Sequence, residues 1–387
     1  MPMTPRGRSL NRPVLCLLGA IVAVNLFGCQ TALASTSEAR SADPGATQAI
    51  TPEAPAPSTG MPTALVPDPQ TPTTTPPRVF RLTEPGCCVR PFWSPDSLEV
   101  AYVDKPPGKE LAGIYSIPLE GGSSHLIYRR PQILSVDWAL SAWAEGEDTR
   151  VWRRSDGRSW LVDTTGAAPR FAPSGSMMAW GVTSKQYTQI DVRQTAIWVA
   201  GIDGSRARKV ITVQGGSLIG WAIGEQALLV SGRLRRGEAG GVWRVPLEAA
   251  EPVMLFSADR VRDPLLSPGG TWLAFYVAFS SEADADGLWV LDTITGASQR
   301  ITPFGSYRWR TADRLLLFPL EASLPSAELW EVDVRTGEIQ RLTERGLTPL
   351  AIANNDWQPS PDGRSLAFVS AVDHAIWILE LPQPAQE

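Results

Sequence analysis

The sequence predicts an all-β protein, a seven-bladed β-propeller, from three observations. A turn phrase recurs along the chain, as "WSPDS" at 93–97, "APSG" at 172–175, "SPGG" at 267–270 and "SPDG" at 360–363. A nearly continuous apolar stretch follows these turns, as in "EVAYV", "MMAWGV", "WLAFYVAF" and "SLAFV". One aromatic then marks each copy, at Tyr115, Trp152, Trp198, Trp243, Trp289, Trp330 and Trp377, spaced by 37, 46, 45, 46, 41 and 47 residues. Copies of a four-stranded unit at this period indicate propeller blades. A tally of six or eight blades is the alternative.

The chain opens with an address. Residues 1–13 carry Arg6, Arg8 and Arg12 and no acid, and "VLCLLGAIVAV" follows. A basic start, a short apolar core and a small residue before a cut site describe a secretory signal over residues 1–28. The apolar run is too short to span a bilayer comfortably. Its ending "LFGC" resembles the lipobox of bacterial lipoproteins. That resemblance implies cleavage before Cys29 and a diacylglyceryl group on its thiol. Acyl chains would hold the protein on a membrane without spanning it.

Residues 29–78 read as a tether. From 30 to 78 there are ten prolines, ten threonines and no aromatic. Such a stretch buries too little apolar surface to offset its ordering entropy. The propeller occupies 79–383 and a tail 384–387.

Within each copy, a first strand ends at the turn. Proline presets the first turn dihedral, Ser or Asp bonds the turn backbone, and glycine takes the left-handed position. The second strand is apolar throughout, as expected where both sheet faces are buried. The third carries the marker aromatic. A second placement, Trp160 in place of Trp152, would leave that copy without a fourth strand. The tryptophans, 15 in all, are expected to pack mostly between blades. The last copy ends "AIWILELPQPAQE" and lacks a fourth strand, whereas "VFRLT" at 79–83 resembles the fourth strands at 300–302 and 341–343. The N-terminal strand 79–83 is therefore expected to pair with the C-terminal blade and close the ring, leaving no exposed edge.

These phrases resemble the repeats of the TolB-like propeller family, whose copies carry the same "SPDG" turn before an apolar strand. The resemblance runs from Val79 to Pro382 and implies the propeller fold. That family carries an α/β domain before its propeller and six blades; residues 30–78 supply no such domain, and seven copies are counted here. Fold alone implies no function.

A net charge of −5 without a basic block points away from nucleic acid. On a propeller, loops between blades and loops joining second to third strands share one rim, the usual place for binding groups. The rim candidates are Arg90, Arg262, Asp263, Arg308, Asn355, Asp356 and His374. Arginine there can fork onto carboxylate or phosphate; the plainer reading is solvated loop charge paired with nearby acids.

Cys87 and Cys88 are adjacent, and an extracytoplasmic site permits a disulfide between them, a reduced pair or metal ligands. They lack the C-x-x-C gap of a metal site. Glu282, Asp284 and Asp286 alternate before Gly287 like the start of a calcium loop, but the twelfth position is Thr293. Calcium is the sole cofactor candidate. No G-x-S-x-G, Gly-rich phosphate loop or H-E-x-x-H appears.

The expected protein is a non-catalytic binding or scaffold module of the bacterial cell envelope, lipid-anchored and facing periplasm or exterior. Its expected partners are the membrane and an envelope protein, peptide or glycan. A rim-sited enzyme of lyase or glycosidase type is the alternative.

Overall fold

The computed structural model describes residues 77–383, apart from residues 88, 107, 109–111, 131, 187–188, 190–191, 279, 281–284, 321–326, 345–347 and 349. The signal segment, Cys29 and nearly all of the tether lie outside the described residues. So do Cys88, Glu282 and Asp284. Among the described residues no helix is long and apolar enough to cross a membrane.

Seven antiparallel four-stranded sheets form the propeller. Blades are numbered here from the one that begins at Val89. First strands of blades 4 and 5, 5 and 6, 6 and 7, and 7 and 1 touch one another, so these strands lie toward the axis. The seven marker aromatics all fall on third strands, from Tyr115 on Gly113–Pro118 to Trp377 on Ile376–Glu380. Trp152 takes the marker position and Trp160 lies on the fourth strand of its blade.

Second strands are buried almost throughout, as on Ala227–Gly232 and Ser365–Ser370. Packing of the tryptophans divides by strand. Of the third-strand markers only Trp330 is fully buried, the others being half-buried. The first-strand residues Trp93, Trp221, Trp309 and Trp357 are all buried.

Three of these make one repeated contact between blades. Trp93 Nε1 donates to Gln358 O at 2.9 Å, Trp221 Nε1 to Arg170 O at 3.0 Å and Trp309 Nε1 to Leu265 O at 2.8 Å. Each acceptor lies on the first strand of the preceding blade. A buried indole N–H needs such a partner, so the contact fixes how blades dock.

The turn chemistry is equally regular. The Ser94, Ser135, Ser267 and Ser360 hydroxyls accept from the backbone N–H of Glu99, Leu140, Trp272 and Ser365 at 2.9–3.0 Å. Asp96, Asp137 and Asp362 accept from the N–H two residues on, each at 3.0 Å. Blade 6 departs from this pattern. Arg310 stands where the others have Ser or Ala; it is 2% exposed and bonds Glu331 Oε2 at 2.6 Å, Gly363 O at 2.7 Å and Pro382 O.

The N-terminal strand Val79–Arg81 closes the ring. It pairs with the last strand as Val79↔Leu379, Phe80↔Ile378 and Arg81↔Trp377. The ladder runs on: Leu82 N donates to Ile376 O at 2.8 Å, and the buried Thr83 Oγ1 accepts Ile376 N at 2.9 Å. Phe80 and Leu82 pack on a core shared by blades 7 and 1, which includes Trp93, Tyr102, Val369 and Ile376.

Candidate functional site

The first strands of blades 5 (Val261–Leu266), 7 (Ile352–Pro359) and 1 (Val89–Trp93) are irregular. Their registers break between Arg262 and Leu265, between Ile352 and Trp357, and between Val89 and Phe92. At the breaks, non-glycine residues adopt left-handed φ: Asp263 47°, Asn354 51°, Asn355 59° and Arg90 56°. Such bulges re-aim side chains, and a left-handed non-glycine residue costs about 1–2 kcal/mol. The other left-handed non-glycine residues lie outside the first strands, and the first strand of blade 4 breaks register between Leu218 and Gly220 without one. Among the described first strands this strain therefore gathers on one arc, a candidate site.

Blade 6 lies between, with a regular first strand, Gly305–Trp309. A side chain on Gly305 would place its Cβ 2.1 Å from Phe318 O, so only glycine fits there. The strand sets Ser306, Tyr307 and Arg308 in the arc. The Arg308 guanidinium lies 5.2 Å over the Trp357 ring and donates through Nη1 to Tyr307 O at 2.7 Å. Burial lowers the Arg308 pKa, against the charges of Asp263 and Asp356, which favour its protonated form. Asp356 accepts the Arg90 backbone N–H; burial pushes its carboxyl up, although the Arg90 and Arg308 charges pull it down.

The aromatic groups lock this arrangement. Tyr307 donates its hydroxyl to Asp263 O, and burial raises its pKa. The Tyr276 ring stands 5.1 Å from Tyr307 and 4.5 Å from Phe304, and Phe304 is 50% exposed. Asn355 Oδ1 accepts Trp357 Nε1 at 2.8 Å and also pairs with the Ser306 hydroxyl.

The structure thus brings together Arg90, Asp263, Arg308, Asn355 and Asp356 of the residues expected from sequence. Arg262 is exposed opposite Tyr276, at the edge of the arc. His374 stays apart: it is exposed on the turn between the second and third strands of blade 7. Other rim arginines meet acids, as Arg233 meets Asp259 at 2.8 Å and Arg235 meets Glu238 at 3.4 Å.

Cys87 is disulfide-bonded, with its Sγ 3.0 Å from Thr83 Oγ1. Asp286 Oδ1 accepts Ser280 N at 2.8 Å. Among the described residues no group of three or more His, Cys, Asp and Glu could hold a metal ion. Sequence reasoning passed over Tyr276, Phe304, Ser306 and Tyr307. The available signal was "FGSYRW" at 304–309, where polar side chains interrupt a first strand.

No family model and no curated protein matches the chain. Solved structures do. An oligogalacturonate lyase in complex with manganese is 12% identical over 82% of this chain and 96% of its own, with TM-score 0.56. An oligogalacturonate lyase from Vibrio parahaemolyticus is 11% identical over the same shares, with TM-score 0.57. A prolyl endopeptidase is 13% identical over 79% of this chain and 51% of its own, with TM-score 0.50. TolB from Acinetobacter baumannii also matches, at 14% identity over 64% of each chain and TM-score 0.42. At such identities a likeness carries the fold alone, and only the two lyases and the endopeptidase are similar enough to support it.

Proposed function

We propose that the protein is an extracytoplasmic binding or scaffold module, held at a membrane through a lipidated Cys29. Its partner, a protein, peptide or glycan, docks at the channel mouth on blades 5, 6, 7 and 1. The observation that carries this reading is the preset arc: Arg308 is stacked on Trp357, flanked by Asp263 and Asp356, and set among strained first strands. Groups held in advance lose little freedom on binding.

The start of the closing strand and the arc lie at opposite ends of the ring. The chain enters the ring at Arg78–Val79, where Arg78 O accepts Glu380 N at 2.9 Å and Leu381 N donates to Arg364 O at 2.8 Å, just past the 360–363 turn. The arc lies toward the other end of the first strands.

The test uses the full mature chain. Arg308→Met and Asp356→Asn are compared with the wild type for partners retained from envelope extract and for turnover of glycosides and uronides. Loss of a partner, with thermal melting unchanged, supports the module. Turnover that vanishes in the same variants replaces it with the rim-sited enzyme. Unchanged partners in both variants overturn the assignment of the site.

A further inference from the structure

We infer that the mouth takes an uncharged saccharide, held by the donors of Asn355 and Arg308 and the acceptors of Asp356 and Asp263 beside the exposed Phe304 ring. This names the ligand of the site proposed above and rests on that reading.

The Asn355 amide is aimed. Trp357 Nε1 is a donor only, so the Asn355 atom 2.8 Å from it is the oxygen. Ser306 shares that same oxygen. The amide plane is fixed by its oxygen, the residue is exposed, and its NH₂ group has no partner among the described residues. Arg308 is held in the same way. One edge bonds Tyr307 O and one face lies over Trp357, which leaves further donors without a partner among the described residues.

Charge selects against ions. Asp263, Arg308, Asp356 and Arg90 stand on blades 5, 6, 7 and 1, alternating in sign, and their formal charges cancel. An anion drawn to Arg308 must approach Asp263 and Asp356, and a cation meets the two arginines. Both would lose hydration without a net field to replace it. Adjacent hydroxyls of a sugar suit this alternation, because each hydroxyl both donates and accepts. Planar carboxylate, amide and guanidinium groups hold two neighbouring hydroxyls at once.

The apolar part of the mouth has the matching shape. Phe304 presents a ring at 50% exposure, its position set by Tyr276 at 4.5 Å. Leu320, 72% exposed, donates its N–H to Phe304 O at 2.9 Å and so widens the apolar edge. The C–H face of a pyranose covers a flat ring bordered by polar groups. Binding sites commonly pair such aromatic surface with a few placed polar groups.

Calorimetry on the full mature chain tests this with hexamers of glucose, mannose and N-acetylglucosamine, and with a galacturonate hexamer as the acidic comparison. At least one neutral hexamer is expected to bind more tightly than the galacturonate hexamer. Phe304→Ala and Asn355→Ala should each weaken it by about tenfold or more, and Phe304→Tyr should retain it. Phe304 is surface-exposed, so its variants keep the fold, which thermal melting checks. The inference is overturned when no neutral hexamer binds at millimolar concentration, when galacturonate binds more tightly, or when both alanine variants bind as the wild type does. Should the neutral hexamers fail while Arg308→Met still loses a protein partner, the saccharide is wrong and the binding module stands.

Discussion

Trp93 donates its indole N–H to Gln358 O across 2.9 Å, joining the first blade to the seventh. The two residues are 265 positions apart in sequence. Trp93→Phe keeps the aromatic bulk and leaves that carbonyl without its donor, a loss of about 1–3 kcal/mol. Trp221→Phe and Trp309→Phe remove the same contact from blades 4 and 6. All three are expected to lower the urea midpoint by similar amounts. Trp198→Phe, where the half-buried indole makes no hydrogen bond among the described residues, should move it less.

Ring closure depends on Thr83 as well as on the strand before it. Thr83 Oγ1 accepts Ile376 N at 2.9 Å in a buried setting. Thr83→Val preserves the shape and orphans that N–H, at a cost of about 1–3 kcal/mol. Removal of residues 79–83 exposes the edge of Ile376–Glu380 and should abolish cooperative unfolding. A truncated chain that melts as sharply as the full one would show the closing strand to be dispensable.

The pair Arg310–Glu331 is buried at 2.6 Å, with side chains 1% and 6% exposed. Arg310→Leu leaves a buried carboxylate and two carbonyls unmatched, for about 3–5 kcal/mol. Arg310→Leu with Glu331→Leu removes both charges and should recover much of the loss. Urea titration of single and double variants measures the coupling. Equal midpoints for the two would show that Arg310 acts through its backbone acceptors instead.

Sequence made the ring legible because its signals are local and periodic. A Ser-x-Asp turn, an apolar strand and a marker aromatic lie within one copy, so Trp152 could be preferred to Trp160 and "VFRLT" assigned to the seventh blade. The site was legible only as a rim of charges. Arg90 and Asp263 were within reach because loop charge is visible in a sequence, and Asn355 because it adjoins Asp356. Their grouping was not, because it depends on bulges where these side chains adopt left-handed φ without a glycine to signal it. His374 and Arg308 look alike on a sequence rim. Only the sheet order separates a residue on an outer turn from one on a first strand.

The turn aspartates set an acid limit on stability. Asp96 is held below its ordinary value of 3.8, first by the Ser94 hydroxyl and then by the Leu98 N–H. Asp137 is lowered chiefly by Ser135, against some desolvation. With folded values depressed, the unfolded chain binds more protons as pH falls. The contribution is complete above the unfolded value and disappears as pH falls through the folded one. Asp96→Asn with Asp137→Asn should therefore flatten the fall of the urea midpoint below about pH 4. A fall as steep as that of the wild type would place the acid sensitivity in other carboxylates.

Arg90 and Asp263 allow strain to be separated from recognition. Both have a Cβ at left-handed φ, 56° and 47°. Arg90→Ala removes the guanidinium and keeps the strained Cβ, whereas Arg90→Gly removes both. Relief of about 1–2 kcal/mol is partly offset by the larger backbone entropy of glycine, about 0.5–1 kcal/mol. The glycine variant should thus exceed the alanine variant by roughly 0.5–1 kcal/mol in urea titration, and the same order should hold at Asp263. Ligand binding should fall equally in the two variants, because the ligand meets the side chain and not the φ angle. A glycine variant less stable than the alanine one by about 0.5–1 kcal/mol would mean that the bulges bear no strain. The left-handed residues would then be a consequence of strand register rather than a means of aiming side chains into the mouth.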